Sequence, residues 1–383
     1  MKIFECQSCG QALYFENTAC PRCAHRLGYL PNQQRLVALD PAGDDAFTVA
    51  GEPEERFRFC GNAAREVCNW LIPSGDAGSF CIACRHNHLI PNQSRPKNQA
   101  LWQGMERAKH RLFYTLLELD LPLVTREEDP AEGLEFNFLE DVPDTRKVMT
   151  GHSRGRITIS IAEADDSERE RRRSAMREPY RTLLGHFRHE IGHYVWNRLV
   201  RDRPPHQAFR TLFGDERVSY RDSLRAHYDR GPAPDWAATY VSAYATSHPW
   251  EDFAETFAHY LHIVDALDTA SELGIGVHPR HLSDAAALDA DIDITPRHAA
   301  SIEPLIVAWL PLTFAINNLN RSMGQTDFYP FVLSPGVIDK LGFVHDLVHG
   351  RVEREPLAQG RVAHDANLPV EEPSRTPTPV RVP

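Results

Sequence analysis

His189-Glu190-Ile191-Gly192-His193 lies in a stretch, from about Pro179 to Val200, whose apolar spacing is helical. Leu183, Leu184, Phe187, Ile191, Tyr194 and Val195 supply the buried face. Residues four apart share a helix face, so His189 and His193 can present two imidazole nitrogens to one Zn²⁺. Glu190 sits one residue round the turn, close enough to take a proton from a water held by the metal. Chance alone would produce an H-E-x-x-H in roughly one chain in fifteen of this length and histidine content, so the motif needs company.

With 383 residues, 42% of them hydrophobic, the chain can bury a sizeable core and divide into two or three domains. A net charge of −11 argues against a large nucleic-acid surface. No run of apolar residues is long enough to span a bilayer, and Met1-Lys2-Ile3-Phe4-Glu5-Cys6 leads straight into a cysteine motif. Neither a membrane nor a secretory leader is therefore expected, and the expected compartment is the cytoplasm. A reducing compartment favours metal ligation by clustered cysteines over disulfides.

All eight cysteines precede residue 85. Cys6-x2-Cys9 and Cys20-x2-Cys23 form two C-x-x-C knuckles at zinc-ribbon spacing, each aiming two thiolates at one point. About thirty residues make too small a core to stand alone, so metal binding supplies much of the folding energy. Cys60, Cys68, Cys81 and Cys84 compose a second four-cysteine set, with His86 and His88 close enough to replace a thiolate. Four protein ligands leave no position open for water, so both sites read as structural. Ribbons on an acidic chain suit docking of a protein partner.

Downstream, residues 31–59 read as a connector with short strands, and Asn98 to Leu119 as a helix. Phe136–Leu139 and the β-branched run Arg156–Ile161 read as strands, the second with a free edge that can pair with an extended peptide. Further helices are expected near 206–213, 219–229, 236–246 and 249–267. Another, from Ala299 to Leu319, carries Pro304 and Pro311 as interruptions. Beyond Glu353 the Pro-rich composition predicts disorder.

A catalytic zinc takes a third protein ligand and keeps a fourth position for water. The best candidate is Glu251, in His248-Pro249-Trp250-Glu251-Asp252-Phe253-Ala254-Glu255. Pro249 marks a helix start, which puts Glu251 and Glu255 on one face, four apart. One carboxylate can bind metal while the other accepts the free N–H of a ligand histidine.

These residues together resemble the gluzincin zinc peptidases, in their lethal-factor-like arrangement. That arrangement implies a tyrosine seven residues before the ligand glutamate, here Tyr244, acting on the metal-bound water or the oxyanion; the coincidence favours Glu251 over Glu255 as the ligand. From Phe4 to about Val348 the chain also resembles bacterial zinc-binding metallopeptidases with an N-terminal zinc-ribbon domain. The matching stretches are Cys6–Cys23, Cys68-Asn69-Trp70-Leu71, His189–His193, Trp250–Glu255 and Asn317–Gly324.

The expectation is an α+β chain. Residues 1–30 form a zinc ribbon and 31–97 a second four-cysteine region. Residues 98–352 form a mainly helical, gluzincin-like peptidase domain with a small sheet, and 353–383 a disordered tail. One catalytic zinc would be held by His189, His193 and Glu251, with Glu190 as general base, Tyr244 as oxyanion donor and Glu255 orienting a histidine. Cys6, Cys9, Cys20 and Cys23 would hold one structural zinc; Cys60, Cys68, Cys81 and Cys84 another. The expected activity is hydrolysis of peptide or protein substrates. The alternative is a non-catalytic adaptor or regulator with a structural or sensing metal at the H-E-x-x-H site.

Overall fold

The computed structural model describes residues 2–141, 147–176, 178–280 and 286–352; the tail expected to be disordered lies outside them. The chain is mixed α+β, a β-rich region bearing two cysteine clusters followed by a mainly helical part. Among the described residues two compact units emerge, one comprising those up to 150 and 156–172, the other 151–155 and 173–352.

In the first unit, Phe4–Glu5 pairs with Ala12–Leu13 to carry the first knuckle. A five-stranded antiparallel sheet follows, in the order Arg26–Leu30, Arg35–Pro41, Phe47–Val49, Glu52–Phe59, Leu71–Pro73. Its core is Leu30, Val37, Leu39, Val49, Phe57 and Leu71. Residues 31–59, expected to be a connector with short strands, thus carry three of the five strands of this sheet. Glu52-Pro-Glu-Glu-Arg puts five exposed residues at the start of the longest strand, which hides the alternation that marks a half-buried strand. A second sheet sets Asn87–Leu89 and Arg156–Ser160 parallel to Glu135–Leu139 on either side. Against these packs the cap helix Pro96–Glu118, with Trp102, Met105, Leu112, Phe113 and Leu116 fully buried. Phe15, Tyr29, Trp70 and Tyr114 meet edge-on or tilted, with ring centroids 4.9–6.3 Å apart. Residues from both cysteine regions and from the cap helix therefore share one aromatic core.

The second unit is built on the motif helix Leu183–Leu199 and the carboxylate helix Pro249–Glu272. Thr182 caps the first, its hydroxyl oxygen accepting from the Gly185 N–H at 3.0 Å, so the helix begins four residues later than the spacing predicts. His248 caps the second through Nδ1, 3.1 Å from the Trp250 N–H, with Pro249 at the first helical position. The two helices touch at Gly192. A Cβ there would lie 3.0 Å from the Ala254 Cα and 3.3 Å from the Phe257 Cβ, so glycine sets how near the histidines come to the carboxylates. The buried pair of Lys340 and Asp252, 2.6 Å apart, ties the helix Pro335–Val348 to the carboxylate helix; the same ammonium donates to the Thr239 carbonyl at 2.9 Å.

Two helical expectations differ from the structure. Residues 236–246 hold only the short turns Trp236–Ala238 and, at their end, Tyr244–Ser247, because the backbone between them bonds elsewhere: Lys340 takes the Thr239 carbonyl and the Ser242 hydroxyl takes the Ala245 N–H. Conversely, Glu303–Ser322 runs unbroken. Pro304 falls in its first turn, and the carbonyl that loses its partner at Pro311 belongs to Val307, on the solvent side.

Candidate metal centre

His189 and His193 project from the motif helix towards Glu251 on the carboxylate helix. His189 Nε2 lies 3.0 Å and His193 Nε2 3.4 Å from the same oxygen, Glu251 Oε2. The three ligand atoms lie within 4.8 Å of one another, so the group could hold a metal ion. The other nitrogen of His189, Nδ1, is 2.7 Å from Glu255 Oε1. An imidazole that donates its Nδ1 proton to Glu255 turns a bare lone pair on Nε2 towards Glu251. Two acceptors would then face each other at hydrogen-bond distance, so a cation belongs between them. Without metal it is a second ring proton, since burial opposes but the bonds to Glu251 and Glu255 hold the His189 imidazole well above its ordinary range; with metal it is the ion. The donor set fits Zn²⁺ on this ground.

Side chains outside this trio orient it. Ser242 donates to the second oxygen of Glu255 at 2.6 Å, and the Tyr220 hydroxyl donates to Glu251 Oε1 at 2.7 Å. Trp250 lies against His193, ring centroids 3.9 Å apart, and His152 stacks on the same imidazole at 5.9 Å. His152 belongs to Gly151–Ser153, so within this unit that short strand accompanies the motif helix. The run Arg156–Ser160, expected to offer a free edge, belongs to the cysteine-bearing unit and pairs there with Glu135–Leu139.

Glu190 is 6% exposed, and its Oε2 has no hydrogen-bond partner among the described residues. Burial pushes its carboxyl up to about 7, with the charges of Glu251 and Glu255 adding to the effect and His189 opposing it. Burial would also raise Glu255, but its bonds to His189 and Ser242 outweigh that and hold it at about 2. Tyr244 stands with its ring centroid 5.9 Å from that of His189. Burial first, then the charge of Glu251, raises the phenols of Tyr244 and Tyr220 above their ordinary range, so both remain O–H donors at neutral pH.

The cysteines form two tight clusters in the first unit. Cys6, Cys9, Cys20 and Cys23 compose one, with Cys6–Cys23 and Cys9–Cys20 sulfur separations of 3.6 Å. Cys60, Cys68, Cys81 and Cys84 compose the other, with Cys68–Cys81 at 3.8 Å. Such spacing suits sulfurs sharing one zinc, and the clusters suggest two structural sites. His86 and His88 do not enter the second: His86 Nδ1 bonds the Leu134 carbonyl at 2.9 Å and His88 Nδ1 the Asn137 side chain at 3.0 Å.

Of the residues singled out from sequence, His189, Glu190, His193, Tyr244, Glu251 and Glu255 come together in one place. Tyr220, Ser242, His152 and Trp250 escaped notice as parts of it. Ser242, two residues before Tyr244, could have been found as a short polar residue beside an already suspected one. Tyr220 is 31 residues from its partner and gives no spacing signal.

Residues 98–347 match the family described as "Putative zinc-binding metallo-peptidase", and residues 3–95 match a zinc-ribbon domain. The chain belongs to that peptidase family. Similar proteins include uncharacterized proteins of Mycobacterium bovis and of two Mycobacterium tuberculosis strains. Each is 42% identical over 349 residues, covering 91% of this chain and 95% of the relative. No solved structure matches the chain. Among the described residues, no helix is long and apolar enough to cross a membrane.

Proposed function

We propose that the chain is a zinc-dependent peptidase that hydrolyses peptide bonds, with His189, His193 and Glu251 as metal ligands and Glu190 as the base. One observation carries this reading: beside three converging donors lies a buried carboxylate with an unpartnered oxygen. A purely structural site has no use for such a group. When bound, zinc would lower the pKa of water from about 16 to about 7 and polarise the scissile carbonyl.

The chain's own residues do the rest. Glu190 accepts the proton of the attacking water at its free oxygen and later delivers it to the leaving amine. The Tyr244 hydroxyl donates to the developing oxyanion. Glu255 holds the proton on His189 Nδ1 and so keeps Nε2 free for the metal, while Tyr220 engages one Glu251 oxygen and leaves the other for the ion. The ribbon of residues 1–30 and the four-cysteine region of 31–97 then serve as closed sites, suited to folding and to docking a protein partner. A protein or peptide is the substrate class this reading implies, and the cytoplasm the compartment in which unoxidised cysteines would persist.

Glu190→Gln tests the reading. It keeps the shape of the side chain, so zinc per chain should stay unchanged while hydrolysis of an unfolded protein substrate falls about 10²–10⁴-fold. Unaltered turnover with zinc in place would reject the peptidase mechanism and leave the metal a structural or sensing role.

A further inference from the structure

The second cysteine cluster has a neighbour that the first lacks. His110, on the cap helix and 5% exposed, turns its Nε2 into the cluster, 3.4 Å from Cys68 Sγ and 3.8 Å from Cys84 Sγ. For tetrahedral zinc with Zn–S of about 2.3 Å and Zn–N of about 2.0 Å, co-ligand atoms stand about 3.8 Å apart for two sulfurs and about 3.5 Å for nitrogen and sulfur. The imidazole nitrogen thus stands at co-ligand distance from two sulfurs of the cluster. Trp70 packs on its ring with centroids 4.9 Å apart, which limits its freedom to turn away.

Other candidates near the sulfurs are already engaged. Glu106 approaches Cys84 Sγ at 3.9 Å, but it receives Lys109 at 2.8 Å, the Trp102 indole at 3.0 Å and the Asn87 amide at 2.6 Å. Its oxygens are taken. At the first cluster, His25 Nδ1 meets only Cys23, at 3.2 Å, and its other nitrogen faces Asp40 at 3.4 Å. A histidine tethered on its far side by a carboxylate can support a ligand but is held back from replacing one.

The four cysteines also differ in exposure. Cys60, Cys81 and Cys84 are 1–2% exposed, whereas Cys68 is only half-buried and is the sulfur nearest His110. We infer that His110 is a reserve ligand of the second zinc site: it donates from Nε2 to the Cys68 and Cys84 sulfurs while four thiolates hold the ion, and when Cys68 is lost its proton moves from Nε2 to Nδ1 and Nε2 coordinates the ion. The site then passes from four sulfurs to three sulfurs and one nitrogen, a donor set equally suited to zinc. The folded cysteine-bearing unit would thereby survive loss of the most exposed cysteine of this cluster.

Metal content and cobalt spectra of the full-length chain test this without reference to activity. Cys68→Ser should keep the same zinc per chain as the parent. With Co²⁺ in place of zinc, its d–d bands should shift to higher energy, as imidazole replaces thiolate. The double variant Cys68→Ser, His110→Phe should lose one equivalent, while His110→Phe alone should retain all of them. The inference is overturned if Cys68→Ser loses the metal or becomes insoluble, since a working reserve ligand keeps the unit folded. It is equally overturned if the double variant retains the metal, or if His110→Phe alone loses it, because His110 would then be irrelevant or obligatory.

Discussion

The cysteine clusters and the His189–His193–Glu251 group hold their donors in place by different means. Around the second cluster, backbone N–H groups of Trp70, Cys81 and Cys84 point at sulfurs from 3.4 Å. One of these bonds lies within the Cys81–Cys84 turn and another links Cys81 to Cys60 across 21 residues, so the main chain itself helps to shape the site. At the histidine site the orienting groups are side chains: Glu255, Ser242 and Tyr220. The donor number differs as well, four against three. A closed site framed by backbone needs little from its neighbours beyond the turn, whereas an open site framed by side chains can be tuned by any one of them. That openness is what chemistry requires and what makes the metal easier to lose.

The largest expected consequence concerns metal removal. Brief treatment of the full chain with a mild chelator should abolish hydrolysis while most of the cysteine-held zinc remains. Zinc counting alongside an activity assay reads this directly, and cysteine zinc leaving first would break the comparison. Next in size is Tyr244→Phe. Removing one oxyanion donor typically costs about 10²–10³ in kcat, with zinc content and unfolding midpoint unchanged. A loss below about threefold would take Tyr244 out of the mechanism. Smaller again is Tyr220→Phe, which deletes the hydroxyl on Glu251. Outer-shell partners of this kind are worth about 10–100-fold in metal affinity, measured here by zinc competition. Equal affinity in parent and variant would show that Glu251 is held by packing alone.

What could be read beforehand follows the same division. The C-x-x-C pairs and the pairs His189–His193 and Glu251–Glu255 are encoded within a turn or two of chain, where spacing translates directly into shared geometry. Tyr220 reaches Glu251, and His110 reaches Cys68 across 42 residues, only because segments far apart in the chain come together. No local pattern announces that. The same limit explains the misread segments. Residues 236–246 carry helical spacing, yet Lys340, a hundred residues away, claims the Thr239 carbonyl. The strand Glu52–Phe59 shows five exposed residues first and looks like a loop until its partners are known. Gly192, by contrast, stood inside the motif all along. Its meaning became clear only with Ala254 against it.

The smallest effect tests whether the helical unit has acid sensitivity of its own, apart from metal loss at the thiolates. His259 follows Glu255 by one turn, is 5% exposed, and bonds the Tyr329 hydroxyl through Nδ1 at 2.7 Å. Burial lowers its imidazole to about 4, so it is neutral when folded. In the unfolded chain it titrates near 6.5. A depressed histidine pKa means that the unfolded state binds the extra proton between those values. The stability it contributes is therefore complete above about pH 6.5 and is lost as pH falls towards 4. At pH 5 the loss amounts to about 2 kcal/mol for this one group. Urea unfolding at pH 7 and pH 5 should show a smaller drop for His259→Gln than for the parent. Zinc loss at the cysteines acts on both chains alike and cancels in that difference. Identical drops would mean that His259 is protonated at little cost in the folded protein, leaving acid to act through the metals and through other histidines that burial lowers, such as His86 and His345.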